Sequence, residues 1–341
     1  MNVALLGYGY AGKTLHAPLI RSVPGLRLTT VMSSRAAQVK ADLPDVSVVS
    51  SAEDVFADSA VDLVVIATPN DTHYDLAHRG LAAGKHVVVD KPFTITAAEA
   101  SALAALAQDA GRLLSVFHNR RWDADFLTVR QLIAGGEVGE VVHFESHFDR
   151  YRPVVQNRWR EGPGLGGGIW LDLGSHLVDQ ALQLFGPPEA VFADLEMQRS
   201  AALAVDYFHV LLRYGRMRVV LHGSNLVAET VRRFEVHGTG CSFVKYGMDP
   251  QEDALKRGEH PGGSGWGVDP REGVLTAWIA DAPQVRQVPM VPGNYPAYYQ
   301  AVRDAIAKGA RNPVPPEEGL AVMSVLELAG RSAAEGRELR Y

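Results

Sequence analysis

Asp172 and His176 stand four residues apart in the stretch GLGGGIWLDLGSHLVDQAL, residues 164–182. On a helix that spacing puts a carboxylate and an imidazole on one face. An imidazole exchanges protons near neutral pH, and a carboxylate beside it orients the ring or a bound hydroxyl. Taken alone, such a pair is more often a capping acid and an ordinary polar histidine. It gains weight from Lys91, which follows HVVVD (86–90) and precedes Pro92. An amine just past the end of an apolar strand can accept or donate a proton at the ligand edge of an open sheet. The bland reading of Lys91 is a surface lysine.

A third group binds rather than reacts. GYGYAG at 7–12 has the Gly-x-Gly-x-x-Gly spacing at Gly7, Gly9 and Gly12, with Tyr10 and Ala11 between. The first glycine makes the turn, the second clears the approach of a pyrophosphate, and the third lets the next helix lie close to the strand. The helix start then offers N–H groups to phosphate. The NAD form of this motif carries an acid about 20 residues further on, for the ribose hydroxyls. Here LTTVMSSRAA (28–37) holds Ser33, Ser34 and Arg35 instead. Two hydroxyls and a planar guanidinium suit a 2′-phosphate, so NADP is favoured, with NAD possible. The competing reading is a solvated turn whose serine caps a helix.

His143, Glu145 and His147 share one face of a strand at a spacing of about 6.6 Å, within reach of a metal. A polar face on an open sheet is the commoner meaning. The sequence holds no His-Glu-x-x-His, no paired-cysteine pattern and no Gly-x-Ser-x-Gly elbow. No metal is expected.

These residues need scaffolds. Short apolar runs at 3–6, 46–49, 61–68, 86–90 and 113–117 alternate with helical patterns at 73–83 and 96–110. That alternation predicts a doubly wound parallel sheet. Pro18, soon after the first glycines, predicts a short or kinked first helix. After about residue 120 the pattern changes. Segments 141–149, 207–214, 217–224, 232–239 and 242–246 read as strands of an antiparallel meander. Helices are expected near 124–134, 169–185, 296–307 and 317–335. The fold class is therefore α/β: a Rossmann domain over 1–120, then an α+β domain over 121–341 with a large, mostly antiparallel open sheet. Residues 247–272 read as a long loop, either a lid or a passive excursion. An open sheet needs cover, so a homodimer or homotetramer is expected.

Composition excludes some functions. The 341 residues are 47% hydrophobic and 21% charged, with net charge −6. The acidic balance argues against a general nucleic-acid binder. No apolar run is long enough for a membrane span, and Cys241 is the single cysteine, as suits a reducing compartment. A cytoplasmic location is expected, with no nucleic-acid or membrane partner.

With GYGYAG (7–12), TPNDTH (68–73), GKHVVVDKPF (84–93) and GGGIWLDLGSHLVDQ (166–180), the whole chain resembles the Gfo/Idh/MocA oxidoreductases, the glucose–fructose oxidoreductase and inositol dehydrogenase group. HNRRWDADF (118–126) and ESHFDRYRP (145–153) look closest to its NADP-dependent scyllo-inositol dehydrogenase branch. The resemblance implies that Lys91 is the lysine of a Glu-Lys-Pro motif and that Asp172 and His176 are the acid and histidine of a second motif. It implies that Thr68, Pro69, Asn70 and His73 flank the nicotinamide half of the cofactor. Trp159 and Arg160 resemble a pair that touches the nicotinamide amide in some members, and Asn119 follows the last Rossmann strand, where members often contact cofactor. Asp90 stands where the family's glutamate is usual. The implied reaction is reversible oxidation of a secondary alcohol on a sugar or cyclic polyol. Either His176 or Lys91 would be the primary base. Arg152, Arg158 and Trp266 are candidates to line the substrate pocket. Two other readings remain: cofactor-assisted glycoside cleavage, and a non-catalytic NADP-sensing regulator.

Overall fold

The computed structural model describes residues 1–164 and 166–341 and divides into two compact units. The first comprises Met1–Asn119, Gln251–Trp266 and Asn294–Met323. The second comprises Arg120–Pro250, Gly267–Gly293 and Ser324–Tyr341. The sequence predicts a single crossover at 120; two later segments in fact return to the first unit.

The first unit holds β1 (Asn2–Leu6), β2 (Arg27–Met32), β3 (Ser47–Val49), β4 (Leu63–Ile66), β5 (His86–Val89) and β6 (Leu114–Val116), in the order β3-β2-β1-β4-β5-β6. All pairs are parallel. Helices on both faces bury such strands completely, and all four residues of β4 are buried. The order reverses between β1 and β4, and a sheet of this kind binds ligands at the strands' carboxyl ends near that reversal. The loops at 7–12, 33–35, 67–70, 90–93 and 117–119 all leave from those ends.

Pro18 has the predicted effect, with a local cause. Ala11–His16 forms a wide π turn in which the Ala17 N–H bonds to the Gly12 carbonyl, five residues back. An α segment, Ala17–Ser22, then starts with proline in its first turn, where a missing N–H costs little. The returning segments close the far side of β6. Ser115 Oγ donates to the Val314 carbonyl at 3.1 Å, Tyr298 Oη donates to Ser115 Oγ at 2.9 Å, and Asn312 Nδ2 donates to the Leu114 carbonyl at 2.8 Å.

The second unit holds β7 (Val141–His147), β8 (Ala190–Glu196), β9 (Tyr207–Tyr214), β10 (Met217–Ser224), β11 (Arg232–Gly238), β12 (Cys241–Tyr246), β13 (Gly273–Ile279), β14 (Ala282–Val288) and β15 (Leu339–Arg340). They form one sheet ordered β14-β13-β12-β11-β7-β10-β9-β8-β15. Only the central β7–β10 pair is parallel; the other pairs are antiparallel. Phe144, Phe208, Val210, Leu212, Val219, Leu221, Phe234 and Phe243 are buried on one face, against helices that include Ala124–Ala134 and Ser175–Phe185. The other face is half open. Strands β8, β13, β14 and β15 were not expected from sequence. A short helix, Gln251–Lys256, interrupts the predicted 247–272 loop. No helix among the described residues is long and apolar enough to cross a membrane.

Candidate active site

The glycine loop has the steric properties its spacing requires. Gly7 has φ +97°, and a Cβ there would sit 2.5 Å from the Ala67 carbonyl oxygen. A Cβ on Gly12 would sit 2.2 Å from the Gly7 oxygen, so the helix rests directly on the turn. A Cβ on Gly9 would meet nothing within 4 Å. That open side is where a pyrophosphate must come close, and Ala11 begins the helical segment beside it. The residues present therefore fit a dinucleotide. Tyr10 is exposed, its hydroxyl donating to Glu252 Oε1 at 2.5 Å.

Beyond β2, Ser33 Oγ accepts the Arg35 backbone N–H at 3.1 Å, while the Ser33 N–H bonds to the Val49 carbonyl. Arg35 Nη2 donates to the Tyr8 carbonyl at 2.8 Å, which folds the guanidinium back over the glycine loop. Ser34 and Arg35 are exposed. Lys13, which the sequence reading passed over, adds a second cation beside this loop and pairs with Asp42 at 2.7 Å. Its signal was present: it immediately follows Gly12.

At the ends of β4 and β5, His73 is the tie. Its Nδ1 lies 2.9 Å from the Pro92 carbonyl and its Nε2 3.1 Å from the Thr68 carbonyl. Burial pushes this imidazole below its ordinary pKa. A neutral ring has one N–H, so one of the two contacts is a hydrogen bond in each tautomer. His73 thus holds the 68–70 loop against the 91–93 loop, where the Lys91–Pro92 peptide is cis. Thr68 and Thr72 hydroxyls meet at 2.6 Å, and Thr72 also donates to the Pro69 carbonyl. Asn70 opens the next turn and is buried. Asn119 is buried as it follows β6.

Asp90 Oδ1 accepts the Lys91 backbone N–H at 2.8 Å. Its other oxygen lies 3.8 Å from His16 Nε2, an ion-pair rather than a hydrogen-bond distance. Burial alone would raise this carboxyl; His16, together with the charge of Lys91, outweighs it and holds Asp90 at about 2. His16 is fully buried, with Nδ1 2.6 Å from the Tyr299 hydroxyl. No sequence motif marks His16, because both partners are distant in the chain.

In the second unit, glycines shape the segment that presents Asp172 and His176. Gly168 has φ +88° and leaves room for Val205, whose carbonyl accepts the Ile169 N–H at 2.8 Å. A π turn, Trp170–Gly174, precedes the α-helix Ser175–Phe185. A Cβ on Gly174 would lie 2.3 Å from the Trp170 ring, so that glycine lets the indole lie across the turn. Wide turns of this kind recur at functional sites, and both candidate segments open with one. Asp172 sits between two guanidinium groups, Arg160 Nη1 at 3.6 Å and Arg150 Nη2 at 3.9 Å. His176 is buried. Arg160 stacks over Trp159 at 5.1 Å. Burial and the charge of Arg152 bring Arg150 down to about 10, against the pull of Asp172.

Arg150 was not among the sequence candidates. Its signal was the two-residue spacing of Arg150 and Arg152 after β7. Arg158 instead pairs with Glu161 at 2.5 Å, and Trp266 belongs to the first unit, where its Nε1 donates to Gln251.

Family models match both parts of the chain. The model described as the NAD-binding Rossmann fold of an oxidoreductase family, Gfo/Idh/MocA, matches residues 1–118. Its C-terminal alpha/beta domain model matches residues 130–340. The chain belongs to the Gfo/Idh/MocA oxidoreductase family. Among its relatives, the uncharacterized oxidoreductase YdgJ of Escherichia coli is 54% identical over 98% of this chain and 96% of its own. The scyllo-inositol 2-dehydrogenase (NADP(+)) IolW of Bacillus subtilis is 42% identical over 99% of this chain and 95% of its own. A solved Yersinia pestis chain, 54% identical, superposes with a TM-score of 0.96 over 100% of this chain and 97% of that one. As a Gfo/Idh/MocA oxidoreductase, the chain has an NAD-binding Rossmann domain, and inositol dehydrogenases are among its homologues.

Proposed function

We propose that this Gfo/Idh/MocA chain is an NADP-preferring dehydrogenase that reversibly oxidises a secondary alcohol of a sugar or inositol-like cyclic polyol. The observation that carries the cofactor preference is the end of β2. Ser33, Ser34 and Arg35 stand there with no carboxylate among them, and Arg35 is already folded over the glycine loop. An acid in that slot would repel a 2′-phosphate, whereas a guanidinium binds one through its fork. The relative whose name states NADP specificity, at 42% identity, agrees with this reading.

The bound nicotinamide would supply the hydride acceptor. The chain supplies the rest. Gly7, Gly9, Tyr10, Ala11 and Gly12 would hold the pyrophosphate, and Thr68, Pro69, Asn70, His73, Asp90, Asn119, Trp159 and Arg160 would position the nicotinamide half. His176, assisted by Lys91, would take the hydroxyl proton. Asp172, between Arg150 and Arg160, would orient a hydroxyl or the imidazole. Polyols carry many hydroxyls, and a carboxylate clamped by guanidinium groups is a rigid acceptor for them.

The test is an absorbance assay at the reduced-nicotinamide band over a polyol panel, run with NADP and with NAD. Turnover with inositols, and kcat/KM at least tenfold higher with NADP, is expected. Glycosidase activity without net NADPH would favour cofactor-assisted cleavage instead, and cofactor binding without either activity would favour a sensor. Lys91→Ala should lower kcat by about 100-fold or more while NADP still binds; unchanged turnover would remove the lysine from the mechanism.

The chain is also proposed to self-associate through the open face of the nine-stranded sheet. Phe192, Trp278 and Val285 are exposed there, and strand register puts them on the same face as His147. Sedimentation equilibrium of the wild type and of Trp278→Glu tests this: a dimer or larger assembly weakened by the charge is expected.

A further inference from the structure

The open face of that sheet carries a cluster the dehydrogenase reading does not use. His147 on β7 lies directly opposite His222 on β10, across the parallel central pair, with ring centroids 5.3 Å apart. Asp149, two residues past His147, reaches between them. Its Oδ2 is 3.4 Å from His147 Nδ1 and its Oδ1 is 3.4 Å from His222 Nε2.

We propose that His147, Asp149 and His222 form a binding site for one divalent transition-metal ion, with zinc as the reference ion. The two 3.4 Å separations are long for charge-assisted hydrogen bonds, which run about 2.7–2.9 Å. They match a shared ion. Bonds of about 2.0–2.1 Å in tetrahedral geometry put neighbouring donor atoms roughly 3.3 Å apart. One ligand atom from each residue lies within 4.8 Å of the others. Two imidazoles and a carboxylate also form a donor set suited to such ions, leaving coordination positions for water.

The surroundings favour ligation. His147 Nε2 contacts Glu145 Oε2 at 2.9 Å. A proton on that nitrogen leaves the Nδ1 lone pair facing Asp149, the carboxylate–histidine–metal arrangement. Glu145 is itself held by His143 Nε2 at 2.7 Å. Asp149 Oδ1 accepts the Ser224 N–H at 3.0 Å, which fixes the carboxylate. His222 Nδ1 is buried with no hydrogen-bond partner, so the ring's Nε2, facing Asp149 Oδ1, is the nitrogen left to bind. His209 faces His222 across β9–β10, with ring centroids 5.6 Å apart. The ion would staple β7 to β10 at the middle of the sheet. This inference stands independently of the cofactor and substrate assignments.

The full chain, stripped with a chelator and dialysed, is titrated with zinc alone, and bound metal is counted by mass spectrometry. One zinc per chain is expected, with a rise in unfolding temperature. His222→Gln or Asp149→Asn should weaken binding about 100-fold, and Glu145→Gln about 10-fold. Asp149→Asn keeps an acceptor for the Ser224 N–H, so it reads the site even if His222→Gln fails to fold. His237→Gln, outside the triad, should bind as wild type. Glu145, His147 and Glu235 form a second geometric group. Loss of zinc in Glu235→Gln with retention in His222→Gln would overturn the proposal, as would binding no tighter in the wild type than in Asp149→Asn.

Discussion

Gly9 and Gly12 look alike in sequence but differ in what surrounds them. An added methyl at Gly12 would strike the Gly7 carbonyl at 2.2 Å, while one at Gly9 would enter open space. Gly12→Ala should therefore lower the unfolding temperature, whereas Gly9→Ala should leave it unchanged and weaken NADP binding by about tenfold or more; calorimetry and a cofactor titration separate the two. Asp90 predicts a pH dependence. Its carboxyl is held at about 2, below the ordinary aspartate range. A depressed acid stabilises the fold above the unfolded value and loses that contribution as pH falls through the folded one. Roughly 2 kcal/mol should disappear between about pH 4 and 2. Urea midpoints across that range should fall less steeply for Asp90→Asn. The glycine spacing and the absent acid at 33–35 were legible because each is a local pattern. The Asp90–His16–Tyr299 chain and the clamp on Asp172 were not, because their members are tens to hundreds of residues apart.

Among the elements, β1, β4, β5 and β6 could be expected because buried parallel strands are short apolar runs, while β2 and β3 are only partly buried. The second sheet was only half legible. Strand β14 is exposed at every position but its last, so it carries no alternation to read. Its hairpin with β13 turns on Ala280 and Asp281, with φ +51° and +60°. That is the turn geometry usually signalled by Asn-Gly, and here the signal is missing. The same observation makes a prediction. Replacing Ala280 by Asn and Asp281 by Gly should relieve left-handed strain and stabilise the protein by roughly 0.5–1 kcal/mol, measured by chemical denaturation. The first helix was read correctly as interrupted, but the wide turn that accommodates Pro18 needed coordinates.

For the molecule as a whole, two features lie beyond any local pattern. Beneath the second sheet, the fully buried Arg233 donates to Ser146 and Gln180 and lies 3.4 Å from Asp125. Removing the acid strands a buried charge, so Asp125→Ala should destabilise by about 3–5 kcal/mol. The other feature is the return of 251–266 and 294–323 to the first unit. His16 waits for Tyr299, and Ser115 for Val314 and Tyr298. On the ribosome, the nucleotide-binding half cannot finish folding until most of the polypeptide has emerged. A fragment ending at Asn119 should therefore stay loosely packed and open to protease. Chimaeras that exchange this half between relatives will need two further splices downstream.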